Sequence, residues 1–492
     1  MWVGGLARQT AQRRIISQNN QPVGLYGTLF SVTTILAFAT YRPAFSVDVA
    51  EIDAAAGRPP KSGHRIAAAH DQDTVCLGVE AARRVLSGLD GDPSIARLIF
   101  ATSRPPLHDK TNATVIHAAL DLPASVFAFD LLGGQRAAAA AIDIAVSAPG
   151  RTLVVLAEIT IGLPGSDDEV NCSDGAAAFL LGDDSTDSAV IANVLGTSGL
   201  SVELLERWRQ STSLTASTWE ERFSEHAYQG LATRVLCDLL SASNSLKTGR
   251  LHVTGTSRRT VAAAVRELSA STTDHGLSGV GSAGTAQPGF VLSNLLATAG
   301  PDEEHIMLVL ADGAHALHLR TTGHVPAQRP SPEPTPLPYV KYLQWRGLLG
   351  RDESRRPEPP RVSAPAAWRA STFKHALNGG HCRRCDHVQL TSSSTCTHCA
   401  THGELEPYCF RDRRAVIRSV IVDRLAAADS PPLTSAVIDF DGGGRLECEI
   451  ADSGTNPPNI GDIVEMTFRR MSAVGGIPNY FWKARQITGE EV

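Results

Sequence analysis

The chain has 492 residues, enough for two or three domains and a large hydrophobic core. Hydrophobic residues make up 42% and charged residues 20%, which excludes a disordered or fibrous chain. The net charge of -6, with Lys and Arg scattered apart from short clusters near Arg355 and Arg411, argues against a nucleic-acid partner.

The first residues are polar and include Arg8, Arg13 and Arg14; the apolar run Leu29 to Ala39 follows. That run is interrupted by Ser31, Thr33 and Thr34, lacks a cleavage site and is too short to span a bilayer. It reads as a buried first strand after a disordered leader over 1–23. No transmembrane segment is expected, and the chain is placed in the cytoplasm.

From Gly24, strands and helices alternate. Leu25 to Thr40 reads as one or two strands. Apolar residues at helical spacing (Val75, Leu77, Val79, Ala82, Val85 and Leu86) predict a helix over Thr74 to Gly88, with Asp71 and Asp73 as its caps. A strand over Ala96 to Ala101 and a helix over Asn112 to Leu120 come next. Val126 to Phe129 reads as a buried strand. Gly133 and Gly134 then turn the chain into a helix rich in alanine, from Ala137 to Ala141. This arrangement sets Gln135 or Arg136 at a positive helix N-terminus, a frequent place for nucleophiles and anion-binding groups. The plainer readings are a core helix without chemistry and an ion pair of Arg136 with Asp130 or Asp143. Strands over Arg151 to Glu158 and Ala176 to Gly182 follow.

A second half echoes the first. It holds a strand over Gly249 to Thr254, a helix over Thr260 to Leu268 and a Gly-rich turn from Gly279. A helix near Phe290 to Ala299 and a strand over His305 to Leu310 complete it. Asp-Gly-Ala occurs at Asp174 and again at Asp312, each beside a hydrophobic strand. Two α/β halves, 24–200 and 201–325, account for this. A Pro-rich linker over 326–367 contains Tyr339 to Leu349, which reads as an amphipathic docking helix.

Beyond Trp368 the composition changes. Cys382 and Cys385, then Cys396 and Cys399, have zinc-ribbon spacing, placed within 368–408. Four thiolates leave no open coordination position, so a structural zinc is expected. The clustered cysteines, with Cys76, Cys172 and Cys237 far apart, point to a reducing compartment. Short strands follow over Ala415 to Asp423, Thr434 to Asp439, Arg445 to Ala451 and Ile463 to Arg469. They suggest a small OB-type β-barrel over 409–492.

Residues from about Val23 to Thr322 resemble the thiolase superfamily, nearest its 3-hydroxy-3-methylglutaryl-CoA synthase and ketoacyl synthase III branch. The resemblance rests on Asp71-Gln-Asp-Thr, Arg104-Pro-Pro, Asp109-Lys-Thr-Asn-Ala, Asp130 to Ala141, Cys172-Ser-Asp-Gly-Ala-Ala-Ala and Gly281 to Ala286. Residues from about Trp368 to Ile487 are similar to the zinc-ribbon plus OB-fold proteins that accompany thiolases. The resemblance implies a duplicated αβαβα layered fold followed by a zinc ribbon and a small barrel. It also implies acyl-CoA substrates, a homodimer formed through the thiolase-like part, and a separate thiolase as a candidate partner.

In that family a cysteine is acylated, assisted by a glutamate, a histidine and an asparagine. Carried over by motif, these positions fall at Gln135, Ser103, Thr254 and Ser282, and all four are substituted. Arg136, His108 and Asp109 remain as polar candidates for substrate binding. Gln135 cannot hold an acyl group as a thioester, but its amide can hydrogen-bond a developing enolate. Three classes stay open: an acyl-CoA enzyme without covalent cysteine, a non-catalytic acyl-CoA-binding or scaffold subunit, and a cysteine enzyme with a differently placed nucleophile.

Overall fold

The computed structural model describes residues 33–487, apart from 90, 184–189, 220, 243–249, 269–280, 330–332, 351–362, 391–392, 427 and 454–456. These residues belong to one compact unit, Val32–Val492. The expected leader and the start of the Gly279 turn lie outside the described residues.

The first half comprises β1 (Thr33–Tyr41), β2 (Phe45–Asp48), α1 (Val49–Ala55), β3 (His64–Ala67), α2 (Thr74–Ser87) and β4 (Ile95–Thr102). It continues through α3 (Ala113–Ala119), β5 (Phe127–Leu132), α4 (Gln135–Ser147), β6 (Arg151–Glu158), α5 (Asp167–Asn171) and β7 (Gly175–Asp183). The second comprises β8 (Ala192–Ser201), a hairpin of β9 (Arg207–Trp208) and β10 (Ser217–Thr218), α6 (Glu221–Ala242) and β11 (Arg250–Gly255). It closes with α7 (Arg258–Leu268), α8 (Gln287–Thr298), β12 (Glu304–Leu310) and β13 (Gly313–Thr321).

One nine-stranded sheet runs in the order β11-β12-β13-β8-β1-β7-β6-β4-β5. Outward from β1, β7 and then β6 add antiparallel, and β4 and β5 add parallel. Outward from β8, β13 and β12 add antiparallel and β11 adds parallel. The sequence echo is therefore a structural repeat, in which β8, β13, β12 and β11 match β1, β7, β6 and β4 and β5 has no counterpart among the described residues. β8, the first strand of the second series, begins at Ala192.

The inner strands β1, β6, β7 and β12 are buried on both faces and are largely apolar runs. Along β6, Leu153, Val155 and Ala157 pack with α2, whereas Val154 and Leu156 pack with α4 and α8. Along β12, Met307 and Val309 join that same central core, and Ile306, Leu308 and Leu310 pack with α6 and α7. The layers are thus helix, first half of the sheet, paired helices, second half of the sheet, helices. β5 departs from expectation: it is the sheet's edge and is not buried, with Phe127 67% and Leu132 54% exposed. Local composition marks a strand, whereas its place in the sheet is decided by topology.

The linker supplies β14 (Thr335–Pro336) and α9 (Tyr339–Trp345), then α10 (Ala364–Arg369) and α11 (Ser371–Ala376). The ribbon is β15 (Asn378–Cys382), β16 (Val388–Gln389) and β17 (Leu405–Cys409). β18 (Ala415–Asp423), β19 (Leu433–Phe440), β20 (Arg445–Ala451), β21 (Ile463–Val474) and β22 (Ile477–Gln486) form a closed barrel. No helix among the described residues is long and apolar enough to cross a membrane.

The barrel docks on α2 through buried polar contacts. Glu80 accepts from the Phe468 amide at 3.0 Å and the Thr467 hydroxyl at 3.2 Å. Arg83 lies over the Trp482 ring, 4.8 Å from its centroid, and donates to the Met466 carbonyl at 2.9 Å. Asp73 caps α2 as expected, accepting from the Val75 and Cys76 amides, and its other oxygen accepts from the Tyr480 hydroxyl at 2.7 Å. Asp71 does not cap. It is buried between Arg469 at 3.1 Å and Lys483 at 2.9 Å, both from the barrel. The two cations lie roughly four hundred positions away in sequence, beyond any local reading.

Burial alone would raise the Asp71 carboxyl, but Arg469 and Lys483 outweigh it and hold it well below the usual carboxylate range. A depressed carboxyl stabilises fully above its unfolded value of about 3.9, and that stabilisation is lost as pH falls. Replacing Asp71 with Asn leaves two buried cations short of a partner and is expected to cost about 3 kcal/mol. Thermal melts at neutral pH should show the loss. Below about pH 4, the wild-type midpoint should fall more steeply than that of Asp71→Asn.

Candidate functional site

β5 ends at Leu132, Gly133 takes φ 137°, and α4 begins at Gln135. The Gln135 side chain is 5% exposed. Its Nε2 donates to the Gly255 carbonyl at 2.8 Å, and its Oε1 accepts from the Thr254 hydroxyl at 3.2 Å. β11 therefore delivers Thr254 directly to the head of α4. Two of the four positions carried over from the family pattern meet here.

Ser103 lies just beyond the end of β4, and its amide donates to Glu158 Oε2 at 3.2 Å. Glu158 ends β6 and is 3% exposed. The same oxygen accepts from the Thr285 hydroxyl at 2.5 Å, and that hydroxyl lies 3.1 Å from the Gly133 carbonyl. A Cβ on Gly284 would sit 2.5 Å from Glu158 Cγ, so a glycine is needed there. Glu158 thus joins the Ser103 loop, the Gly133 turn and the Gly281 turn. No sequence motif singles it out. Its only signal was an acidic residue closing an apolar strand at a carboxyl end, where α/β sheets gather their sites.

Ser282 forms a bridge with Cys172: Ser173 N donates to Ser282 O and Ser282 N to Asn171 O, each at 2.8 Å. Cys172 lies beside Ser282, and burial pushes its thiol up to about 11, far from a reactive thiolate. Cys76 is buried, its thiol likewise raised mainly by burial. Arg136 pairs with neither Asp130 nor Asp143. It donates to the Leu200 carbonyl at 3.2 Å and the Ser201 hydroxyl at 2.8 Å, tying α4 to β8. Asp130 is occupied by the Asn112 and Ala113 amides, and Asp143 by His315. His108 and Asp109 are exposed in the loop after Ser103 and share no hydrogen bond with Gln135 among the described residues.

The β9–β10 hairpin reaches over this region. Arg209 donates to the Ser103 carbonyl at 2.7 Å, and Arg207 makes a bidentate pair with Asp168, both bonds 2.8 Å. Trp208 and Trp219 pack together with ring centroids 6.0 Å apart, and Trp219 is 60% exposed. The site therefore combines a buried carboxylate, an amide and a hydroxyl. These groups can move a proton and stabilise an oxyanion.

In the ribbon, the sulfurs of Cys382, Cys385, Cys396 and Cys399 all lie within 4.8 Å of one another. Cys382 and Cys399 are 3.7 Å apart, and Cys385 and Cys396 3.6 Å. A tetrahedral zinc with Zn–S bonds of about 2.3 Å spaces its sulfurs by about 3.8 Å, so the cluster fits a metal of that size.

No protein-family model matches the chain. It is 27% identical to hydroxymethylglutaryl-CoA synthase of Methanosphaera stadtmanae over 223 residues, 42% of this chain and 63% of that protein. It is 32% identical to the Pyrococcus furiosus synthase over 146 residues, 28% of this chain and 41% of that protein. The chain thus spans less than two thirds of the length of these relatives. A DUF35 domain-containing scaffold protein of Methanothermobacter thermautotrophicus is 27% identical over 125 residues, 25% of this chain and 94% of that protein. Among solved structures, an HMG-CoA synthase complexed with CoA superposes with TM-score 0.53 at 15% identity, covering 64% of this chain and 90% of that one. MvaS in complex with 3-hydroxy-3-methylglutaryl coenzyme A gives TM-score 0.52 at 18% identity, covering 68% and 95%. The chain thus has a thiolase-like fold, is similar over part of its sequence to hydroxymethylglutaryl-CoA synthases, and is similar over 125 residues to a DUF35 scaffold protein.

Proposed function

We propose that this chain makes or breaks a carbon–carbon bond in an acyl-CoA thioester without a covalent cysteine intermediate. The observation that carries this reading is the Gln135 amide, fixed by Thr254 and Gly255 at the head of α4. An amide nitrogen has two hydrogens, and Gly255 takes one; the other is suited to a thioester enolate oxygen. Glu158 is the buried carboxylate suited to act as base. In the cleavage direction it removes the proton of a 3-hydroxyl group. The bond between C2 and C3 then breaks, its electron pair passes to the thioester as an enolate, and a carbonyl compound leaves. Protonation at C2 yields the shortened acyl-CoA. Condensation is the reverse.

The second reading is a non-catalytic acyl-CoA-binding or scaffold subunit of a thiolase-type complex. The substitution of all four family positions and the similarity to a scaffold protein favour it. Incubation with a panel of 3-hydroxyacyl-CoAs, followed by mass spectrometry, separates the two. The enzyme reading expects a carbonyl product and a shorter acyl-CoA, with Gln135→Ala and Glu158→Gln each lowering kcat by about a hundredfold or more. Absence of product, alone and with a thiolase partner, supports the scaffold. Loss of activity on alkylating Cys76, Cys172 or Cys237 would restore the cysteine mechanism.

The four ribbon cysteines are proposed to hold one structural zinc, which suits a cytoplasmic, reducing setting. Metal analysis of reduced protein should give about one zinc per chain, and Cys385→Ser with Cys396→Ser should abolish it. The exposed edge β5 is proposed as the homodimer contact, because an unpaired apolar edge invites pairing. Light scattering should show a dimer, converted to monomer by Phe127→Lys.

A further inference from the structure

The linker contributes to the first half's own interior. β14 pairs in parallel with β2, and α9 buries Tyr339 and Tyr342 in a core with Phe45, Val47 and Ala67. Immediately after α9, the Arg346 guanidinium enters the interior and bonds Oδ2 of Asp174. The side chains are 4% and 0% exposed.

Asp174 is a junction. Its Oδ2 also accepts from the Ala68 amide at 2.8 Å, and its Oδ1 from the Thr160 amide at 3.0 Å. One carboxylate therefore ties the segment after β3, the loop after β6, the start of β7 and the linker. The second cation, Arg65, stands farther off at 3.5 Å, and donates to the carbonyls of Thr160, Asp168 and Glu169. The Tyr342 ring lies 5.2 Å from both guanidiniums, an aromatic face that eases two like charges around one acid. Arg346 is thus the nearer counter-ion of a fully buried carboxylate. Such an acid is strongly dependent on its partner.

The chain next to Asp174 is the strip that holds Ser282. The Asp174 amide donates to Ile66 O at 3.0 Å, and Ser173 and Asn171 hold Ser282 on both sides. We propose that Arg346 is a positioning residue: linker docking, acting through Asp174, sets the Cys172–Ser282 bridge and with it one wall of the candidate site. The inference rests on the acyl-CoA reading only in treating Ser282 as that wall. Its test needs no activity, so the two can fail separately.

Hydrogen exchange on the full chain provides the test. Arg346→Met keeps the apolar stem and removes the charge; Arg346→Lys keeps the charge. The methionine variant should exchange at least about tenfold faster over 171–175 and 281–287, with β18 to β22 unchanged and the lysine variant partly restored. Unchanged protection over those segments would overturn the proposal. So would equally faster exchange throughout the chain, which reports general destabilisation. If Arg346→Met does not fold, the neutral pair Arg346→Met with Asp174→Asn replaces it. That variant should show the same two loosened segments, and wild-type protection there would overturn the proposal.

Discussion

A helix enclosed between the two halves of one sheet must be thin, and that constraint organises this protein. α4 presents Ala137, Ala138, Ala139 and Ala141 to the central core, where it meets α8 and strands of both halves. Bulkier residues would force the two half-sheets apart. The same enclosure fixes where chemistry can occur. The first turn of α4 opens onto the ends of β4, β6 and β11, and these bring Ser103, Glu158 and Thr254 to one region.

Enclosure also explains the character of that region. A thiol at this helix head would gain from the helix dipole and act as a nucleophile. Gln135 instead completes a neutral hydrogen-bonded group with Thr254 and Gly255. A buried carboxylate, Glu158, arrives from the neighbouring strand end. On the proposed reading, a scaffold suited to covalent transfer is arranged for proton movement and oxyanion binding.

The added C-terminal module is fastened by buried charge. Asp71 meets Arg469 and Lys483, and Asp73 meets Tyr480, all beside the start of α2. Thr74, the first residue of α2, donates to the Arg104 carbonyl at 2.8 Å, next to Ser103. Barrel docking is therefore one hydrogen bond removed from the site loop. Much of the fold was legible because it follows local rules: α2 from its apolar spacing, the repeat from Asp174 and Asp312, the ribbon from paired cysteines. Exposure of β5, the partners of Asp71 and the reach of Arg346 were not legible, because each depends on where distant segments meet. Glu158 escaped for a different reason: a lone acidic residue at a strand end has no periodicity or spacing to distinguish it.

The most direct measurement is an experimental structure of the full chain with a bound acyl-CoA. The thioester oxygen is expected within hydrogen-bonding distance of Gln135 Nε2, with the acyl C2–C3 bond beside Glu158. A thioester bound away from the head of α4, or an acyl group attached to Cys172, would contradict this expectation.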